Sequence, residues 1–244
     1  MKPHAIKEEI LDLSNGKRMT RALLPDVIPG ASPLLHVLSK GDKFIFPATA
    51  KVLRILLLLT GKAAFSADAD GESIVYVEKA VYVHAPQQVV SVSALENATI
   101  LEVQWQLTAE EAAGMGTANL PFTRTFASAS KYRDPFKSGK TISREIVPHR
   151  ILPRFAMGSV ETHGTDLIGQ HAHPLLDQFF FSFPENDCIL LIDSQQHPMA
   201  GNTFLHIPLG SNHGVFVGED QCASYLWIDF IPDEVDPKIC RALI

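Results

Sequence analysis

The chain has 244 residues, 46% of them hydrophobic and 20% charged, with a formal net charge of −6. That is enough apolar material for one large buried core or for two of roughly 100–120 residues each. The acidic balance argues against a general affinity for nucleic acid or an anionic membrane, because no basic surplus is present to neutralise phosphates.

The three cysteines, Cys188, Cys222 and Cys240, are odd in number and far apart. They read as reduced thiols rather than a disulfide framework. The first residues carry no apolar export segment, and the longest apolar run, 55–59, is far too short to span a bilayer. A soluble, cytoplasmic protein is expected.

In chain order, residues 3–14 carry a weak helical pattern with the acidic pair Glu8-Glu9 and predict a short surface helix. From residue 34 the texture changes. Short runs of β-branched, aromatic and leucine residues (34–40, 43–48, 52–59, 62–68, 73–79, 80–85, 89–95 and 99–107) follow one another at hairpin spacing. That is the mark of an antiparallel sandwich or barrel. Turn signals stand at Thr60-Gly61-Lys62 and at Asp68-Ala69-Asp70-Gly71.

The pattern stops after Trp105. Residues 108–140 are rich in Ala, Gly, Ser and Thr, with one helical turn predicted around Ala109–Met115, and read as a linker over the outside of the barrels. A second β-rich set begins near Ile142 and runs to about residue 232. The expected division is an N-terminal barrel at 1–120, a linker at 121–141 and a C-terminal barrel at 142–244. Two β-rich units of similar size suggest an internal duplication.

The chemistry sits in the second unit. His171 and His173 are two apart, so in a strand they present two imidazoles to one side. Gln178 follows after four residues and shares a strand face with Phe180 and Ser182. About thirty residues on, Gly201 leads a strand into the turn Pro208-Leu209-Gly210, which delivers His213. A lone His-x-His is common decoration; the downstream Pro-x-Gly-x-x-His is what makes it a ligand set. Three imidazoles and one side-chain oxygen, with positions left for water or substrate, suit one divalent Fe, Mn, Zn, Ni or Co ion.

These residues resemble the cupin superfamily, whose first motif is His-x-His, three or four residues, then Glu, and whose second is Gly, a spacer, Pro-x-Gly, two residues, then His. The resemblance implies an all-β fold of two tandem cupin barrels (double-stranded β-helix, or jelly-roll) with short peripheral helices. Its metal ligands here are His171, His173, Gln178 and His213. The amide of Gln178 stands where the motif has a carboxylate, removing one negative charge from the shell. Asp177 is the alternative oxygen ligand, although strand alternation turns it away if Gln178 points in. The first unit lacks a His-x-His; its His84 reads as a packed or exposed residue rather than a ligand, and that barrel is expected to be metal-free and structural, serving homodimerisation or closing the other barrel.

Further candidates flank the motifs. His163 and Glu161 are candidate proton-transfer groups, and Arg154, His206 and Phe180 candidate substrate contacts. Residues 141–150, 154–164 and 171–183 are similar to the two-barrel keto-deoxyuronate isomerases, which implies metal-assisted isomerisation of a small sugar acid or related carbonyl compound. A non-haem iron dioxygenase and a non-catalytic small-molecule-binding cupin are the alternatives.

Overall fold

The computed structural model describes residues 6–13, 18–67 and 72–232. Cys240 and the turn at Asp68–Gly71 lie outside them, as do parts of the predicted N-terminal helix. Two compact units emerge. One is Leu13–Ala129; the other joins the chain up to Asp12 to everything from Ser130 onward.

In the Leu13–Ala129 unit every predicted β-run is a strand. A six-stranded sheet runs in the order Phe122–Thr125, Ala80–Val83, Val52–Thr60, Ala98–Gln106, Ala31–Leu38 and Met19–Ala22. A four-stranded sheet orders Lys43–Phe46, Val90–Ala94, Ala63–Ala67 and Ser73–Tyr76. All pairs are antiparallel. The core draws on both, with Leu56, Leu58, Phe65, Tyr82 and Val92 buried together. Val52–Thr60 is buried on both faces and, Arg54 and the terminal Thr60 apart, is apolar on both. His36 and His84 are buried here. His36 meets Glu102 at 2.8 Å, and Glu102 also accepts from Arg54 Nε at 2.9 Å. The helix Ala109–Gly114 starts on a capping box between Thr108 and Glu111.

In the second unit the order is Lys7–Ile10, Thr203–Ile207, Asp177–Ser182, Cys222–Phe230, Phe155–His163, Ile142–Leu152 and Ser130–Tyr132. The strands Asp166–Ala172, Asn212–Val217, Asp187–Ile192 and Gln195–Ala200 form a second layer, joined to the first where Asp187 pairs with Cys222. Phe180, Leu205, Ile207 and Tyr225 of the first layer pack with Ile168, Leu190, Ile192 and Val215 of the second.

Two segments differ from expectation. Lys7–Ile10 is not a surface helix: it pairs antiparallel with Thr203–Ile207, because an edge strand with open hydrogen-bonding groups gains more from a partner than a short isolated helix gains alone. The stretch read as linker supplies the strand Phe122–Thr125 to one unit and Ser130–Tyr132 to the other. No helix among the described residues is long and apolar enough to cross a membrane.

Candidate metal centre

The register of Asp166–Ala172 against Asn212–Val217 sets His171 directly opposite His213, just past a bulge between Ile168 and His171. His173 follows beyond the strand end. His213 is delivered by the Pro208–Gly210 turn, where Gly210 adopts φ +74°, a left-handed conformation natural to glycine. Ser211 closes the turn with its N–H and its Oγ–H both donated to the Pro208 carbonyl, at 3.0 and 2.7 Å. The ring centroids of His171 lie 4.8 Å from His173 and 4.9 Å from His213. Their ligand nitrogens lie within 4.8 Å of one another, the one such grouping of three among the described residues.

The orientation of the rings fits a cation. His171 Nδ1 lies 2.8 Å from the Gly169 carbonyl and His213 Nδ1 3.4 Å from the Ser211 carbonyl. A carbonyl only accepts, so each Nδ1 carries the proton and each Nε2 keeps its lone pair. Phe136 stacks on His171 at 4.4 Å and 11°. Burial first, and then the neighbouring His171, hold His173 down to about 4 and His213 to about 3. Both are neutral imidazoles at neutral pH, the form that binds metal.

Gln178 is buried and faces the cavity, and Asp177 faces the opposite side, where its Oδ1 meets His206 Nε2 at 2.7 Å. Strand alternation therefore divides the two as expected. Opposite Gln178 stands Asp229, a residue the sequence reading passed over. Gln178 Nε2 donates to its Oδ1 at 2.7 Å. Asp229 is only 5% exposed; burial pushes its carboxyl up to about 7, against the opposing pulls of Gln178 and Lys137.

No protein-family model matches the chain, and no curated protein matches it. Solved structures do. A cupin 2 conserved barrel domain protein from Leptotrichia buccalis superimposes with a TM-score of 0.63 at 13% identity, covering 93% of this chain and 96% of that one. The oxalate decarboxylase of Lactobacillus farciminis, in a formate complex, gives 0.67 at 12% identity, covering 99% and 92%. The Bacillus subtilis oxalate decarboxylase gives 0.64 at 14%, covering 92% and 76%. The fold is that of the cupins.

Within this cupin fold the histidines open onto a cavity of about 320 Å³, lined also by Gln178, Phe180, Tyr225, Trp227 and Asp229. Phe180 stacks on Tyr225 at 4.8 Å and stands 5.8 Å from His213. Four expected residues do not line this cavity. Val160 points inward, so Glu161 and His163 project from the other face of their strand; Glu161 pairs with Arg144 at 2.8 Å and His163 is exposed. Leu205 and Ile207 take the inward positions beside His206, which turns to Asp177. Arg154 sits in the turn before Phe155, with φ 52°, and donates to the Ile231 carbonyl at 3.1 Å.

Tyr132, Asp134 and Lys137, from the stretch expected to be a linker, also line the cavity, as do His149 and Trp227. Lys137 Nζ lies 2.9 Å from Asp134 Oδ2 and donates to Ser143 Oγ at 3.1 Å. Burial lowers its pKa, against the opposing pull of Asp134. Burial first, then Asp134 and Asp229, push the Tyr132 hydroxyl up to about 12.

Proposed function

We propose that this protein is a metal-dependent enzyme that isomerises a small sugar acid or related carbonyl compound, with His171, His173, His213 and the Gln178 oxygen holding one divalent cation. The observation that carries the reading is Asp229, a buried carboxylate on the wall of the cavity that the three histidines share. Isomerisation needs a group that takes a proton from one carbon and returns it to the next. We assign that role to Asp229 rather than to His163 or Glu161, because Asp229 lines the cavity.

A bound divalent cation would polarise the substrate's carbonyl and neighbouring hydroxyl. Gln178 holds Asp229 in place through its amide N–H. Phe180, Tyr225 and Trp227 form a largely apolar wall that limits water around the reacting carbons. The Bacillus subtilis oxalate decarboxylase has Mn(II) centres, which supports a divalent ion here; Zn, Mn, Fe, Ni and Co all accept an imidazole-rich shell.

Metal-loaded protein incubated with a panel of hexuronates and keto-deoxyuronates in D2O tests the reading by NMR. Deuterium is expected at the carbon beside the carbonyl, and Asp229→Asn should slow the exchange by about a hundredfold or more while retaining metal. Turnover that consumes dioxygen, or exchange at an unchanged rate in Asp229→Asn, would overturn it.

A further inference from the structure

Lys137 has no part in the ligand set, yet its ammonium is built into the cavity wall with a side chain only 8% exposed. An ammonium has three N–H donors. Asp134 takes one at 2.9 Å and Ser143 Oγ another at 3.1 Å. The Tyr132 ring flanks the same nitrogen, its centroid 5.4 Å away. One donor remains for an occupant of the cavity.

The segment that carries Lys137 is fixed to the histidine strand. The Phe136 carbonyl accepts from Gly169 N–H at 2.7 Å, and the Phe136 ring lies flat on His171. Lys137 is therefore held in register with the ligand His171 rather than carried on a free arm. Charge points the same way. The acidic and basic side chains lining the cavity are Asp134, Asp229 and Lys137; a divalent cation added to them leaves at least one positive charge uncompensated.

We infer that Lys137 is the anchor for a carboxylate on the substrate, so that the cavity selects a small anionic hydroxy or keto acid over its neutral analogue. This rests on the reading of the cavity as a metal-dependent active site and names the group on the substrate that is recognised. Asp134 and Ser143 are the positioning residues, aiming the ammonium and spending two of its donors. A point charge held in a desolvated wall discriminates by charge more than by shape.

Equilibrium binding tests this without turnover. The probes are glycolate and its neutral counterpart ethylene glycol, followed through the fluorescence of Trp227, which lines the cavity, on Mn(II)-loaded and metal-free protein. In the wild type, glycolate is expected to bind at least about tenfold more tightly than ethylene glycol. Lys137→Met, and Lys137→Gln as a variant that keeps an N–H for Asp134, should each weaken glycolate about tenfold with metal content unchanged. Lys137→Arg should stay within a few-fold. Equal affinity for the two probes in the wild type, no glycolate binding, or undiminished glycolate binding in a folded Lys137→Gln would overturn the inference. Failure of the isomerase reading would show instead as absent deuterium exchange with this charge preference intact.

Discussion

Gln178 and Asp229 stand opposite one another on paired strands, and the Gln178 amide donates from Nε2 to Asp229 Oδ1 at 2.7 Å. A carboxylate can only accept, so this bond decides which end of the amide is spent and leaves Oε1 as the atom free to act as a ligand. If Gln178 is the fourth ligand, as proposed, Gln178→Leu should lower metal affinity about ten- to a hundredfold, because it removes that oxygen and the partner of Asp229. Gln178→Glu should keep the metal but set two carboxylates against each other. Its metal-free form should lose about 2 kcal/mol at neutral pH, and metal should raise its melting temperature more than it raises the wild type's. Metal titration and thermal unfolding check both variants.

The strands and the cluster of three histidines were legible because they are local. A His-x-His and a Pro-x-Gly-x-x-His declare themselves through spacing alone, and alternating apolar runs declare strands. The rest of the cavity was not legible, because it is set by register. Nothing near Asp229 in the sequence says that it will face Gln178; only the inward positions of Tyr225 and Trp227 on the same strand hint that a charged residue two further along also points in. Lys137 was hidden in a stretch whose small and polar composition resembles a linker. His163, Glu161 and His206 stood close to the motifs in sequence, and the two-residue period of their strands turned them outward.

Asp166 locks the entry to the histidine strand. Its Oδ2 accepts from Thr162 at 2.6 Å, Thr141 at 2.9 Å and Ser138 at 3.0 Å, and its Oδ1 from Leu167 N–H at 2.9 Å. Burial alone would push this carboxyl up, but those four bonds outweigh it and hold the pKa below the ordinary value. A depressed folded-state pKa gives stability that is present above the unfolded-state pKa and is lost as pH falls through the folded one. Asp166→Asn should therefore destabilise the protein at pH 7, and progressively less on acidification below about pH 4. Urea unfolding of both proteins between pH 7 and pH 3 measures the difference, and a constant gap would count against the charge.

Gly158 makes room for the cavity's indole. A Cβ there would lie 2.3 Å from Trp227 Cζ2 and 2.3 Å from the Arg144 carbonyl oxygen. Gly158→Ala should destabilise by about 2–3 kcal/mol and shift Trp227 emission. Combining it with Trp227→Phe should recover part of the loss, since a smaller ring relieves one of the two clashes.

The central claim is that His171, His173 and His213 hold one divalent ion. Elemental analysis of untagged protein, with the His171→Ala and His213→Ala variants beside it, tests this directly. The account predicts close to one ion per chain in the wild type, and loss of most of it in both variants while circular dichroism still shows a folded β protein. Stoichiometric metal retained in both variants would contradict it, and a wild-type value near two per chain would place a second site at His36 or His84.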